Sequence, residues 1–225
     1  MRYEPRAKRA DMNTTIDNFD RIKSLMPFGE EENLFMHLQI LRRGKDHPNL
    51  PAANKLMKSW LVRSVEHLDK IKAEVVFLCE HYKARAYISC APKSIEKLNR
   101  LIMRKLADNQ YPGNVINPWH VFNSACGELP GVEKRWVVDV DTKDRIGIAS
   151  ISAVIDMAWL KAHPEDRDKV REDLWLVGQL PTMNGVHLLT RPFNLQIFHK
   201  HFPDTGIKKN GLTALYVPQC ICEKI

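Results

Sequence analysis

The sequence predicts an α+β protein, with a mixed or antiparallel sheet and helices packed against it. Three observations carry this. Short β-branched runs such as RWVVDVD (135–141) and LTALYVP (212–218) alternate with amphipathic runs such as SIEKLNRLIMRKLADN (94–109). Turn signals separate them, including Asn184-Gly185 and Asn210-Gly211. The length, 225 residues and 26.0 kDa, suits one substantial domain plus a small accessory piece. Hydrophobic residues at 44% and charged residues at 27% exclude global disorder.

Residues 1–15 are polar and basic, with Arg2, Arg6, Lys8 and Arg9, and are expected at the surface. Ile16, Phe19, Ile22, Leu25 and Met26 recur at helical spacing up to Pro27, and Leu34, Phe35, Leu38 and Leu41 repeat the pattern up to Gly44. The following loop, RRGKDHPNLP, clusters Arg42, Arg43 and Lys45; residues 52–72 then read as another helix, with Leu56, Trp60 and Leu61 on its apolar side. The expected division is therefore a helical N-terminal region over 1–72 and an α+β unit over 73–225. Within that unit EVVFLCEHY (74–82) and ARAYISC (84–90) read as strands joined by a tight turn. Ser94 caps a helix carrying Ile95, Leu98, Leu101, Ile102 and Leu106 on one face. After the connector YPGNVINP comes RWVVDVD, the clearest strand. Residues 174–179 and 185–191 give two more strands around PTMN, NLQIFHKHF a short helix, and LTALYVP the last strand. No internal repeat is visible.

The net charge of +7 and pI near 9.2 favour a polyanionic partner, nucleic acid first, with solubility alone as the plain alternative. The five cysteines, Cys79, Cys90, Cys126, Cys220 and Cys222, are odd in number and form no CxxC pair. No zinc and no disulfide framework are expected, and reduced, buried thiols fit a cytoplasmic compartment. No apolar run approaches the ~18 residues of a membrane span, and MRYEPRAKRADMNTT lacks a signal core. A soluble, unexported protein without a membrane partner is expected.

Three segments can carry chemistry. In WVVDVD, strand alternation puts Asp139 and Asp141 on one face and Trp136, Val138 and Val140 on the other. The two carboxylates stand roughly 6.5 Å apart along the strand, near enough to share divalent cations such as Mg²⁺ or Mn²⁺. A strand end facing solvent is the equally open alternative. In LPTMNGVHLLTRPF, His187 and Arg191 share a face by alternation and can donate to phosphate; a histidine satisfied by hydrogen bonds in the core is the other reading. FPDTGIKKNGLTALYVP offers Asp204 as a third carboxylate, or as a turn residue, followed by the basic pair Lys208 and Lys209.

In this order the segments resemble the archaeo-eukaryotic primase superfamily, particularly its prim-pol branch. That pattern is an apolar strand ending in DxD, a T-x-S-G-G-x-H-like strand entry, then an Asp-containing segment leading to a basic turn and a strand ending in Pro. Here they are WVVDVD, PTMNGVH and DTGIKKNGLTALYVP. The similarity covers about residues 74–218. Two departures stand out: Met183-Asn184-Gly185 replaces the family's small, glycine-rich residues, and Gly206, not Asp, directly precedes Ile207-Lys208.

The resemblance implies a fold related to the RNA-recognition motif and a template-directed nucleotidyltransferase: a primase or primase-polymerase using two Mg²⁺ or Mn²⁺ ions. It implies Asp139, Asp141 and Asp204 as catalytic metal ligands. His187, Arg191, Lys208, Lys209 and, with less weight, Arg85 would contact nucleotide or phosphate, while Lys143 and Arg145 offset charge. The expected partners are single-stranded DNA or RNA template, nucleoside triphosphates, and a separate helicase or replication protein. Arg42, Arg43, Lys45, Lys55 and Lys58 would grip a strand, dock that partner, or simply face solvent. Two other classes stay open. One is a catalytically inactive single-strand-binding module; the other is a metal-dependent phosphoesterase or nuclease with His187 as general acid or base.

Overall fold

The computed structural model describes residues 15–26, 33–47, 54–111, 113–166 and 172–219. The basic residues Arg2, Arg6, Lys8 and Arg9, the turn at Pro27, and Cys220 and Cys222 lie outside them. In chain order the elements are β1 (Ile16–Asp17), α1 (Phe19–Leu25), β2 (Leu34–Arg42), a 3-10 turn (Gly44–Asp46), β3 (Lys55–Val62), α2 (Val65–His81), β4 (Arg85–Ser89), β5 (Lys93–Ser94), α3 (Ile95–Asp108), α4 (Pro118–Glu128), β6 (Trp136–Val140) and α5 (Arg145–Ala162). After a second 3-10 turn (Pro164–Asp166) come α6 (Glu172–Trp175), β7 (Leu176–Pro181), β8 (Val186–Thr190), α7 (Leu195–His201), β9 (Gly206–Lys209) and β10 (Leu212–Val217). The α+β class stands, and every strand pairing among the described residues is antiparallel.

The strands form two sheets. The first runs β1-β10-β4-β2-β3, with β5 beside the start of β2; the second runs β7-β8-β6-β9. In the first, Met36, Leu38 and Ile40 of β2 share a core with Leu68, Ile71, Val75 and Cys79 of α2. Phe35, on the opposite face of β2, packs with Leu98 and Leu101 of α3, Ala125 of α4 and Leu129 just after it. In the second, Val138, Val140, Val186 and Leu188 face Ile151 and Ile155 of α5 and Phe198 of α7. Their neighbours Val137, Leu180 and Leu189 point the other way, into the core of the first sheet. That alternation ties the sheets together and aims one face of β6, β8 and β9 at β10 and β4.

Local chemistry explains the elements that match their sequence patterns. Ser94 accepts from the Lys97 N–H and caps α3, as its position predicts. Asp144, immediately after the DxD strand, accepts from the N–H groups of Ile146 and Gly147 and so starts α5.

The helical region expected over 1–72 is corrected: β2 and β3 lie there, and they belong to the same sheet as β4 and β10. Leu34, Phe35, Leu38 and Leu41 satisfy helical spacing, but β2 is covered on both faces, and a strand so buried is a continuous apolar run with no alternation to read. The split at residue 72 falls inside α2, so it cuts a helix and marks no boundary between units. Conversely, EVVFLCEHY is helical. Its β-branched pair Val75-Val76 suggests a strand, yet Leu68, Ile71, Val75 and Cys79 form one buried stripe of a helix begun at the Ser64 cap.

Candidate active-site cleft

A cleft of about 540 Å³ opens between the two sheets. One wall is Asp139 and Asp141 from β6 and its end, His187 from β8, and Lys208 from β9. The other is Arg85 and Tyr87 from β4, Leu212 and Ala214 from β10, and Leu41, Arg43 and Lys45 from β2 and the loop after it. Thr182, Met183 and Asn184, the turn between β7 and β8, line it as well.

Register builds the first wall. Asp139 pairs with His187 on one side and with Gly206 on the other, and directly paired residues project to the same face. His187 Nε2 lies 3.2 Å from Asp139 Oδ1, and Lys208 Nζ donates to Oδ2 at 2.6 Å. His187 Nδ1 lies 2.9 Å from Thr213 Oγ1 on β10. With Nε2–H donating to Asp139, Nδ1 accepts the threonine hydroxyl proton, and the chain Thr213–His187–Asp139 crosses from one sheet to the other. The His187 hydrogen bond, followed by that from Lys208, holds the Asp139 carboxyl well below the usual carboxylate range despite partial burial. Asp139 is therefore ionised at any working pH.

Gly185 fixes the edge of this wall. A Cβ there would lie 1.9 Å from the Val140 carbonyl oxygen and 2.7 Å from the Thr142 nitrogen. Only glycine lets the β7–β8 turn rest on the end of β6, where Asp141 emerges.

The opposite wall is held differently. Arg85 Nη2 donates to Asp46 Oδ1 at 2.8 Å, its Nε lies 2.7 Å from Oδ2 as an ion pair without a second hydrogen bond, and Asp46 is 9% exposed. Arg43 donates to the Tyr87 hydroxyl at 3.3 Å. The Gly44 N–H donates to Asn54 at 3.3 Å, and His47 Nε2 lies 2.9 Å from the Lys83 carbonyl oxygen. The loop 43–47 is thus pinned to β4 and to the chain just before β3 and β4. Arg43, Lys45 and Arg85 face Asp139 and Asp141 across the cleft, and Lys208 stands beside Asp139 on the same wall, so cations outnumber carboxylates in the lining.

Among the sequence-derived candidates, Asp139, Asp141, His187, Lys208 and Arg85 meet in this cleft. Asp204 does not: it is exposed in the turn before β9 and outside the lining. Gly206 holds the position beside Asp139, where an added Cβ would be 3.8 Å from the Asp139 Cβ, so no third side chain stands there. Arg191 also falls elsewhere. β8 ends at Thr190, so alternation no longer applies, and Arg191 donates to the Leu174 carbonyl at 3.0 Å in a separate groove. Lys209, on the opposite face from Lys208, lies 5.4 Å from the Trp136 ring. Lys143 and Arg145 are exposed and not in the lining. Lys58 pairs with Glu74 and lies over Trp60.

His187 is 6% exposed, and both its ring nitrogens are engaged by protein. Its role in this geometry is to orient Asp139, not to reach phosphate. Arg43 and Lys45, read in sequence as part of a basic cluster that would grip a strand, dock a partner or face solvent, are the cations that long-range pairing of β2 with β4 brings to the cleft.

Among the described residues no three His, Cys, Asp or Glu side chains converge as a self-sufficient metal cage. Two carboxylates facing a basic wall fit a Mg²⁺ or Mn²⁺ ion that completes its shell with waters and substrate phosphates, as Mg²⁺ commonly does. Asp139 and Asp141 are the residues that would hold it.

Comparison with known protein families, curated proteins and solved structures finds no match to this chain. Among the described residues no helix is long and apolar enough to cross a membrane.

Proposed function

We propose that this chain is a template-directed nucleotidyltransferase of the primase or primase-polymerase type, acting on nucleoside triphosphates and a single-stranded template. The observation that carries the reading is the convergence of Asp139 and Asp141 on one cleft with Arg43, Lys45, Arg85 and Lys208. Such a cleft suits a ligand that is a polyanion at one point and cation-bearing at another, which describes a metal-bound triphosphate. Bound Mg²⁺ or Mn²⁺ supplies the Lewis acidity that lowers the charge barrier to phosphoryl transfer. Asp139 and Asp141 offer it oxygens, with His187 holding Asp139 in one orientation. Lys208 is within reach of both Asp139 and the cleft, and can trade its carboxylate partner for a phosphate oxygen. The net charge of +7 supports a nucleic-acid template. Cys79, Cys90 and Cys126 are free and buried, and burial raises their thiols to about 12, 11 and 11; such inert thiols suit the cytoplasm.

The test is metal-dependent incorporation of labelled NTP or dNTP on a single-stranded template. Asp139→Ala and Asp141→Ala should each lower it by about a thousandfold, the scale of losing a group that stabilises transition-state charge. Synthesis at the wild-type rate by both variants overturns the proposal. The missing side chain at Gly206 favours a second reading, a single-strand-binding module without chemistry. Salt-sensitive binding with no incorporation by the wild-type protein selects it. A hydrolase using His187 as general acid or base is disfavoured, because neither ring nitrogen faces the cleft unpaired.

A further inference from the structure

We infer that the loop 43–45 is a phosphate-binding subsite, with Arg43 and Lys45 as its donors and the Arg85–Asp46 ion pair as its support. The inference deepens the proposed function and rests on its reading of the cleft, but it concerns residues outside the three segments that suggested that reading.

Three features single this loop out. First, among the candidates for phosphate contact, Arg191 and Lys209 lie outside the cleft and His187 is spent on Asp139 and Thr213. Lys208 reaches a phosphate only by leaving Asp139, and is a single donor. A polyanion entering the cleft therefore needs other donors, and Arg43 and Lys45 line it. Second, the loop is built to present them. Asp46, buried at 9% exposure, is neutralised by Arg85, so it does not cancel the neighbouring charges. The Tyr87 hydroxyl fixes the Arg43 guanidinium through one N–H and leaves its other donors for a ligand. Third, the placement is complementary. The donors stand across the cleft from the carboxylates, so a phosphate held by them extends from, and does not compete with, the cation-binding wall.

The ligand chemistry is a phosphate oxyanion, which a nucleoside triphosphate or the backbone of a nucleic-acid strand can supply. Equilibrium binding to the full chain distinguishes them, with inorganic tripolyphosphate as one probe and a labelled single-stranded oligonucleotide as the other. Lys45 is exposed and Arg43 half-buried, so Arg43→Gln and Lys45→Gln leave the core untouched. Each lost charged hydrogen bond should weaken binding about tenfold or more. Loss confined to tripolyphosphate identifies the nucleotide's tail as the source, and loss confined to the oligonucleotide identifies the strand. Lys161→Gln, on the exposed face of α5, is the matched control and should change neither. If Arg43→Gln, Lys45→Gln and their combination bind both probes like wild type, the inference is overturned. Because neither probe requires turnover, that outcome is separate from failure of the polymerase reading, which is scored by incorporation alone.

Discussion

The two walls of the cleft achieve fixed charge by opposite means. On the second sheet the groups come from adjacent strands in register: Asp139, His187 and Gly206 stand side by side because β6 lies between β8 and β9. On the first sheet they come from a loop locked by a buried ion pair, with Arg85 in the strand and Asp46 in the loop. A register-built wall is as rigid as its sheet and tolerates exposed charges. A loop-built wall leans most on its ion pair, so the loss of that pair should be costly.

The largest effect should accordingly come from breaking that pair. Asp46→Ala leaves Arg85, partly buried at the edge of the open cleft, without its partner and is expected to cost about 3 kcal/mol, the low end for a buried pair, read by denaturant unfolding. Loss below about 1 kcal/mol, the range of an exposed pair, would show that the loop does not depend on the Arg85–Asp46 pair.

A second buried polar group of the first sheet gives a pH signature. His37 is 1% exposed on β2, and burial, with the Lys93 charge adding to it, lowers it to about 4 from an ordinary value near 6.5. The unfolded chain then binds a proton between those values that the folded chain refuses. Stability is retained above pH 6.5 and falls as pH drops toward 4, by roughly 3 kcal/mol at most. His37→Leu should remove this slope from unfolding curves taken across that window. An unchanged slope would place the acid sensitivity in other groups.

The smallest expected effect sharpens the other wall. Gly206→Asp puts a carboxylate beside Asp139, where a Cβ has room at 3.8 Å. Manganese binding, followed by electron paramagnetic resonance, should tighten about tenfold, worth about 1.4 kcal/mol. No change would mean that Lys208, already paired with Asp139, dominates the local field.

The same contrast explains what the sequence made legible. The strands 84–90, 135–141 and 212–218 and the Ser94-capped helix are settled by local alternation or capping and appear where their patterns put them. β2 was not legible, because burial on both faces erases alternation, and the basic wall was lost with it: nothing local tells that Arg43 sits opposite Asp139. On the acidic wall, the shared face of Asp139 and Asp141 follows from a two-residue period. Asp204 misleads because a turn, not strand pairing, fixes its position. The opposed faces of Lys208 and Lys209 were there to be read from the same period; the engagement of His187 by Thr213 depends on a contact between sheets and was not.

In the proposed function both walls of the cleft act on one ligand. A crystal structure with Mn²⁺ and a non-hydrolysable nucleoside triphosphate tests it most directly. Anomalous density between Asp139 and Asp141, with the phosphates reaching toward Lys208, Arg43 and Lys45, is the predicted result. Ordered triphosphate bound elsewhere on the protein, with the Lys208–Asp139 pair intact and no metal beside it, would contradict it.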